Sequence, residues 1–141
     1  MRPRVRLSAL AACLVFCFSA APVQSVGADG TVPPSLPQAV PTISVSDLQT
    51  LIKSKKHFLL LDVREPDEFN AGHIHDAILM PLGTVSDNYK SLPKNGKIVV
   101  YCLRGGRSAQ AVSFLRDQGF TNVVSLSGGY TAWSDAQPPV H

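Results

Sequence analysis

Four short apolar runs are spaced along the chain: Phe58-Leu59-Leu60-Leu61, Ala77-Ile78-Leu79-Met80, Ile98-Val99-Val100-Tyr101 and Val123-Val124-Ser125-Leu126. Runs of this length without polar alternation suit strands covered on both faces, as in a parallel sheet. Between them the pattern turns helical. Val45, Leu48, Leu51 and Ile52 recur on one helical face, Ser44 precedes Asp47 at a capping-box spacing, and Lys53, Lys55 and Lys56 close that helix. Asp67-Glu68-Phe69 opens a short helix that Gly72 stops, and a further short helix is predicted near residues 85–92. Ala111, Phe114 and Leu115 share the face of a helix ended by Gly119. Gly128-Gly129 leads into a last helix carrying Trp133, and Thr42-Ile43 adds a short first strand. Trp133 and Phe120 are expected in the core. Strands alternating with helices predict an α/β domain with a mostly parallel sheet and helices on both faces. In such sheets ligands bind beyond the carboxyl ends of the strands.

A chain of 141 residues with 45% hydrophobic and 16% charged residues is long enough for one folded domain. The formal net charge of +3 comes entirely from Arg2, Arg4 and Arg6, so the rest of the chain is formally neutral. No basic footprint for nucleic acid remains. Those arginines, the apolar run from Leu7 to Ala21 and the small residues after it predict a secretory signal over residues 1–28. Cleavage is expected after Ala28 or Ala21, leaving no membrane span. The expected destination is the bacterial periplasm. A lipoprotein anchored at Cys13 and a mitochondrial transit peptide are the alternatives. Residues 29–41, with Pro33, Pro34, Pro37 and Pro41, read as a linker. The domain covers 42–136, and 137–141 form a tail after Pro138-Pro139.

Removal of the leader takes Cys13 and Cys17 with it and leaves one cysteine, Cys102. It stands between the strand ending at Tyr101 and the loop Leu103-Arg104-Gly105-Gly106-Arg107-Ser108, which runs into a helix. A thiolate is the nucleophilic form of cysteine, and helix N-termini and nearby arginines both favour it. Gly105 and Gly106 permit a backbone that turns its amides inward. A buried, inert core cysteine is the alternative reading.

The order Asp62-Val63-Arg64-Glu65-Pro66, Glu68-Phe69, Gly72-His73-Ile74, Cys102-x-x-Gly105-x-Arg107-Ser108 and Leu126-x-Gly128-Gly129 with Trp133 resembles the single-domain rhodanese family of sulfurtransferases over about residues 42–134. The resemblance implies a five-stranded parallel sheet and a thiol that becomes a persulfide during turnover. It implies transfer of sulfane sulfur from a small donor such as thiosulfate to cyanide or a thiol, with a protein thiol as a further acceptor. Cys102 would be the nucleophile. Arg107 and Arg104 would hold the donor's oxyanion. Leu103, Gly105, Gly106 and Ser108 would complete the loop, with Ser108 starting the helix. Asp62 and Arg64 fall near the ligand edge, where a structural ion pair competes with a place on the cavity rim. Two departures stand out: His75-Asp76 replace the family's Pro-Gly, and Leu103 follows the cysteine where many members carry a polar residue.

Two other functions stay open. A sulfur-carrier module would pass the persulfide to a protein partner. Tyrosine-phosphatase or arsenate-reductase sites read Cys-x5-Arg, whereas Arg107 is one residue nearer and Ser108 holds the phosphatase position. His73 and His75 lack a third ligand at metal-binding spacing, and His73 is expected to be structural. No Gly-rich nucleotide motif follows the first full strand. No metal or cofactor is expected.

Overall fold

The structure, a computed structural model, describes residues 39–137. The expected signal over 1–28, most of the linker, Cys13, Cys17 and nearly all of the tail lie outside these residues. Five strands form one sheet in the order β1-β5-β4-β2-β3, where β1 is Thr42–Ile43, β2 Leu59–Asp62, β3 Ile78–Leu79, β4 Ile98–Tyr101 and β5 Val123–Leu126. All four pairings are parallel. The helices are α1 Val45–Lys53, α2 Pro66–Ala71, α3 Leu82–Asn88, α4 Gly106–Asp117 and α5 Gly129–Asp135, with a 3-10 turn at Tyr89–Ser91.

Strand periodicity sorts the apolar runs onto two faces. Leu61, Ile98, Val100, Cys102 and Val123 meet Val85 of α3 and Ala111, Val112 and Leu115 of α4. Leu60, Val99, Tyr101 and Leu126 meet Leu48 of α1 and, more loosely, Tyr130 and Trp133 of α5. Phe120 is buried, whereas Trp133 is only half-buried. Both faces are covered, so β4 is buried along its whole length. Each fully buried Leu or Val contributes about 1.5–3 kcal/mol.

The elements follow the sequence signals with small offsets. Ser44 caps α1 by accepting from the Asp47 amide at 3.1 Å. Phe58 falls outside β2, which instead runs on to Asp62, because the Asp62 backbone still pairs with Tyr101. The helix expected at 85–92 starts earlier, at Leu82 behind Pro81, and finishes as the 3-10 turn. Asp76 takes φ +64°, a conformation that glycine holds with less strain.

A buried ion pair holds the carboxyl edge of the sheet. Arg64 Nη2 donates to Asp62 Oδ2 at 2.7 Å, and Arg64 Nε donates to Oδ1 at 3.0 Å. Asp62 is fully buried and Arg64 nearly so, which places them inside the structure rather than on a cavity rim. The guanidinium also donates to the Gly72 carbonyl at 2.7 Å and lies over the Tyr130 ring at 4.3 Å. One side chain thereby ties the end of β2 to the end of α2 and to α5. Arg64→Ala leaves the Asp62 carboxylate buried and unpaired. It is expected to destabilise the fold by about 3–5 kcal/mol, read from denaturant unfolding.

Candidate functional site

Cys102 follows β4, the central strand of the sheet. The chain turns to one side of β2 to form β3 and to the other side to form β4 and β5, so the crevice between β2 and β4 is a switch point of the topology. The cysteine stands at the carboxyl end of that crevice, under the N-terminus of α4.

The loop's carbonyls face away from the sulfur because α5 claims them. Tyr130 N donates to the Cys102 carbonyl at 2.7 Å, and Thr131 N donates to the Leu103 carbonyl at 3.0 Å. These are two of the amides that the first turn of a helix leaves free. With the carbonyls held there, the amides turn inward, and Gly105 N donates to Cys102 Sγ at 3.1 Å. Gly105 takes φ +110° to complete the turn, whereas Gly106 is an ordinary helical residue. Gly106 is therefore not needed for its backbone freedom, unlike the expectation from sequence.

Cys102 is 2% exposed, and its side chain belongs to the α4 face of the core. It is nevertheless not inert packing. Burial pushes the thiol pKa up, but the Ser108 amide and hydroxyl and the amides of Gly105 and Arg104 outweigh it, so the net shift is downward. Ser108 is fully buried in the first turn of α4, with its Oγ 3.7 Å from Sγ. Ser108 Oγ is also 2.8 Å from Ser125 Oγ, a β5 residue that carried no signal beyond being polar in an apolar strand.

Arg107 does not stand free over the sulfur. Its Nη1 and Nη2 donate to Glu68 Oε2 and Oε1 at 2.7 and 2.8 Å, which fastens α4 to α2. Glu68 in turn accepts from the Glu65 amide at 3.1 Å. Glu68 appeared in the sequence only as part of a motif; its partner, 39 residues away, could not be read there. A guanidinium has five N–H donors, so three remain for a ligand. Hydrogen bonds from Arg107 hold the Glu68 carboxyl down to about 2 from its ordinary 4.5. The depressed value means that the pair stabilises the fold fully above about pH 4.5 and loses that effect as pH falls through about 2. An NMR titration of the Glu68 side-chain carboxyl is expected to show its midpoint near 2.

Arg104 is exposed on the loop, and Leu103 beside it is 38% exposed, an apolar side chain at the mouth of the site. His73 stacks on Phe69 with ring centroids 3.8 Å apart, and its Nδ1 lies 3.0 Å from the Phe69 carbonyl. Exposed His75 pairs with Asp76. A cavity of about 740 Å³ lies elsewhere, lined by Gln49, Lys53, His57, Ile74 and Trp133 among others, and none of the Cys102–Ser108 loop reaches it. Among the described residues no helix is long and apolar enough to cross a membrane.

Comparison with known proteins agrees with this geometry. Residues 44–136 match the model of the rhodanese-like domain. A sulfurtransferase of Allochromatium vinosum is 34% identical over 98 residues, covering 70% of this chain and 92% of that protein. The thiosulfate sulfurtransferase GlpE of Pseudomonas entomophila is 31% identical over 94 residues, covering 67% and 86%. The crystal structure of a rhodanese-related protein from Thermoplasma volcanium superposes with a TM-score of 0.64 at 37% identity, covering 72% of this chain and 97% of that one. Some relatives are much longer, and the shared region makes up 26% to 54% of them. An all-parallel five-stranded sheet, a thiol that accepts from an inward loop amide at the end of its central strand and these relatives agree: the chain belongs to the rhodanese family, in which relatives bearing the names sulfurtransferase and sulfur carrier protein are found.

Proposed function

We propose that this protein transfers sulfane sulfur from thiosulfate to a thiophilic acceptor, cyanide or a thiol, through a persulfide on Cys102. The observation that carries the reading is the donor cradle on Sγ, which favours the thiolate at a site that is otherwise buried. The Cys102 thiolate attacks the outer sulfur of thiosulfate. The S–S bond of the donor breaks, and sulfite leaves with its electron pair. The new S–S bond is about 2.05 Å long, so the outer sulfur stands nearer the mouth than Sγ itself. An acceptor thiolate or cyanide attacks that outer sulfur and returns Cys102 to its thiolate. The same amides serve both anionic forms without rearrangement, which is preorganised electrostatic stabilisation.

Arg107 assists as a tethered charge: Glu68 fixes its position, and its unused N–H groups meet the sulfonate oxygens of the donor. Among the described residues Arg104 has no such tether. Arg107→Ala is therefore expected to raise the thiosulfate KM more than Arg104→Ala does, by about tenfold against about twofold, in steady-state assays. The leader over residues 1–28 adds a proposed site of action outside the cytoplasm, tested by cell fractionation.

The decisive measurement is mass spectrometry of the protein after incubation with thiosulfate. A gain of about 32 Da on the Cys102 peptide, removed by cyanide as thiocyanate, supports the reading. No adduct, together with hydrolysis of p-nitrophenyl phosphate, replaces it with a phosphatase. An adduct that cyanide and small thiols leave in place, but a protein thiol removes, points to a carrier module.

A further inference from the structure

β5 is apolar except at Ser125, which is buried on the α4 side of the sheet. Ser125 Oγ lies 2.8 Å from Ser108 Oγ, and Ser108 Oγ lies 3.1 Å from the Gly105 carbonyl and 3.7 Å from Cys102 Sγ. A serine hydroxyl carries one proton and two lone pairs, whereas a carbonyl or a thiolate only accepts. While Cys102 is a thiol, its S–H can donate to Ser108, and Ser108 can donate to Gly105. Once Cys102 is a thiolate, both Sγ and the Gly105 carbonyl compete for the one proton of Ser108. The carbonyl can release it at little cost, because the Ala109 amide also donates to that oxygen at 3.0 Å. The remaining contender is Ser125. If Ser125 accepted from Ser108, no proton would be left for sulfur. If Ser125 donates, it fills a lone pair of Ser108 and leaves that proton free to turn to Sγ.

We propose that Ser125 is a positioning residue of the site: its hydroxyl donates to Ser108 Oγ and so commits the one hydroxyl proton of Ser108 to the thiolate of Cys102. This rests on the sulfur-transfer reading for its purpose, but its geometry stands on hydroxyl contacts alone. Among the described residues, Arg107 on α4 is the side-chain charge that acts on the sulfur; it is paired with Glu68 of α2 and also feels Glu65, while the Arg104 side chain is exposed on the loop. The Asp62–Arg64 pair stands at the carboxyl end of β2, with the guanidinium over the rings of Tyr101 and Tyr130, and β5 carries no charge. Neither serine touches these groups through the contacts described, so changing a serine leaves the charges in place.

The test is the pH dependence of iodoacetamide alkylation at the Cys102 peptide of the full chain, followed by mass spectrometry. This readout needs no sulfur donor. Ser108→Ala is expected to raise the midpoint by about one pH unit, and Ser125→Ala by about half a unit. The double variant is expected to match Ser108→Ala alone, because Ser125 acts only through Ser108. Ser125→Thr keeps the hydroxyl and is expected to bring the midpoint back to within about 0.2 unit of the parent. A Ser125→Ala midpoint equal to the parent overturns the proposal, and so does a double variant equal to the sum of the two. Should the parent fail to load sulfur from thiosulfate while these midpoints move as stated, the transfer reading falls and the relay stands.

Discussion

Cys102→Ser is expected to reduce sulfur transfer below detection, a loss of at least about a thousandfold, while the domain stays folded. A serine hydroxyl is a far weaker nucleophile than a thiolate and cannot carry a persulfide. The amides that lower the thiol pKa cannot bring a hydroxyl, with its much higher value, into its anionic form near neutrality. The fold should persist, because oxygen replaces sulfur in a place where the Gly105 amide and the Ser108 hydroxyl already offer polar contacts. Unfolding free energy is expected to change by no more than about 1 kcal/mol. A thiosulfate:cyanide assay beside a denaturant melt checks both halves. Transfer near the parent level would remove Cys102 from the mechanism.

Gly129→Ala is expected to damage both the site and the fold. Gly129 takes φ +60°, and a Cβ there would overlap the carbonyls of Cys102 and Leu103, the two oxygens that α5 holds outward. Backbone cannot swing aside as a flexible side chain would. The loop must shift, and with it the inward direction of its amides. Left-handed strain and overpacking together are expected to destabilise the domain by about 2–4 kcal/mol. Displacement of the cradle by about 1 Å is expected to lower transfer by about a hundredfold. Gly106→Ala is the control for stability, since Gly106 has ordinary helical backbone and open space around its Cα. Comparison of melts and of single-turnover sulfur loading distinguishes the two glycines.

The sheet was legible because its strands are covered on both faces, so burial alone makes each run apolar and easy to see. Edge strands and irregular turns were less clear. β3 has only two residues and one of them, Ile78, is exposed, so its ends depended on pairing with β2 rather than on pattern. Cys102 and its loop were legible because a thiol, glycines and arginines cluster within seven residues. What could not be read was which distant group each would meet. Glu68 turns Arg107 from a free cation into half of an ion pair, and Ser125 supplies a hydroxyl from another strand. Asp62 and Arg64, adjacent to the strand end in the sequence, point into the interior because two tyrosine rings and the Gly72 carbonyl await the guanidinium there.

The clasp between α5 and the Cys102 loop makes the geometry around the sulfur depend on the C-terminal end of the fold. Among the described residues Tyr130 and Thr131 belong to the last helix, and β1 pairs only with β5, the strand that precedes that helix. Without Gly129–Asp135 the Cys102 and Leu103 carbonyls would both lose these donors, and the loop that brings the Gly105 amide to Cys102 Sγ would lose its anchor.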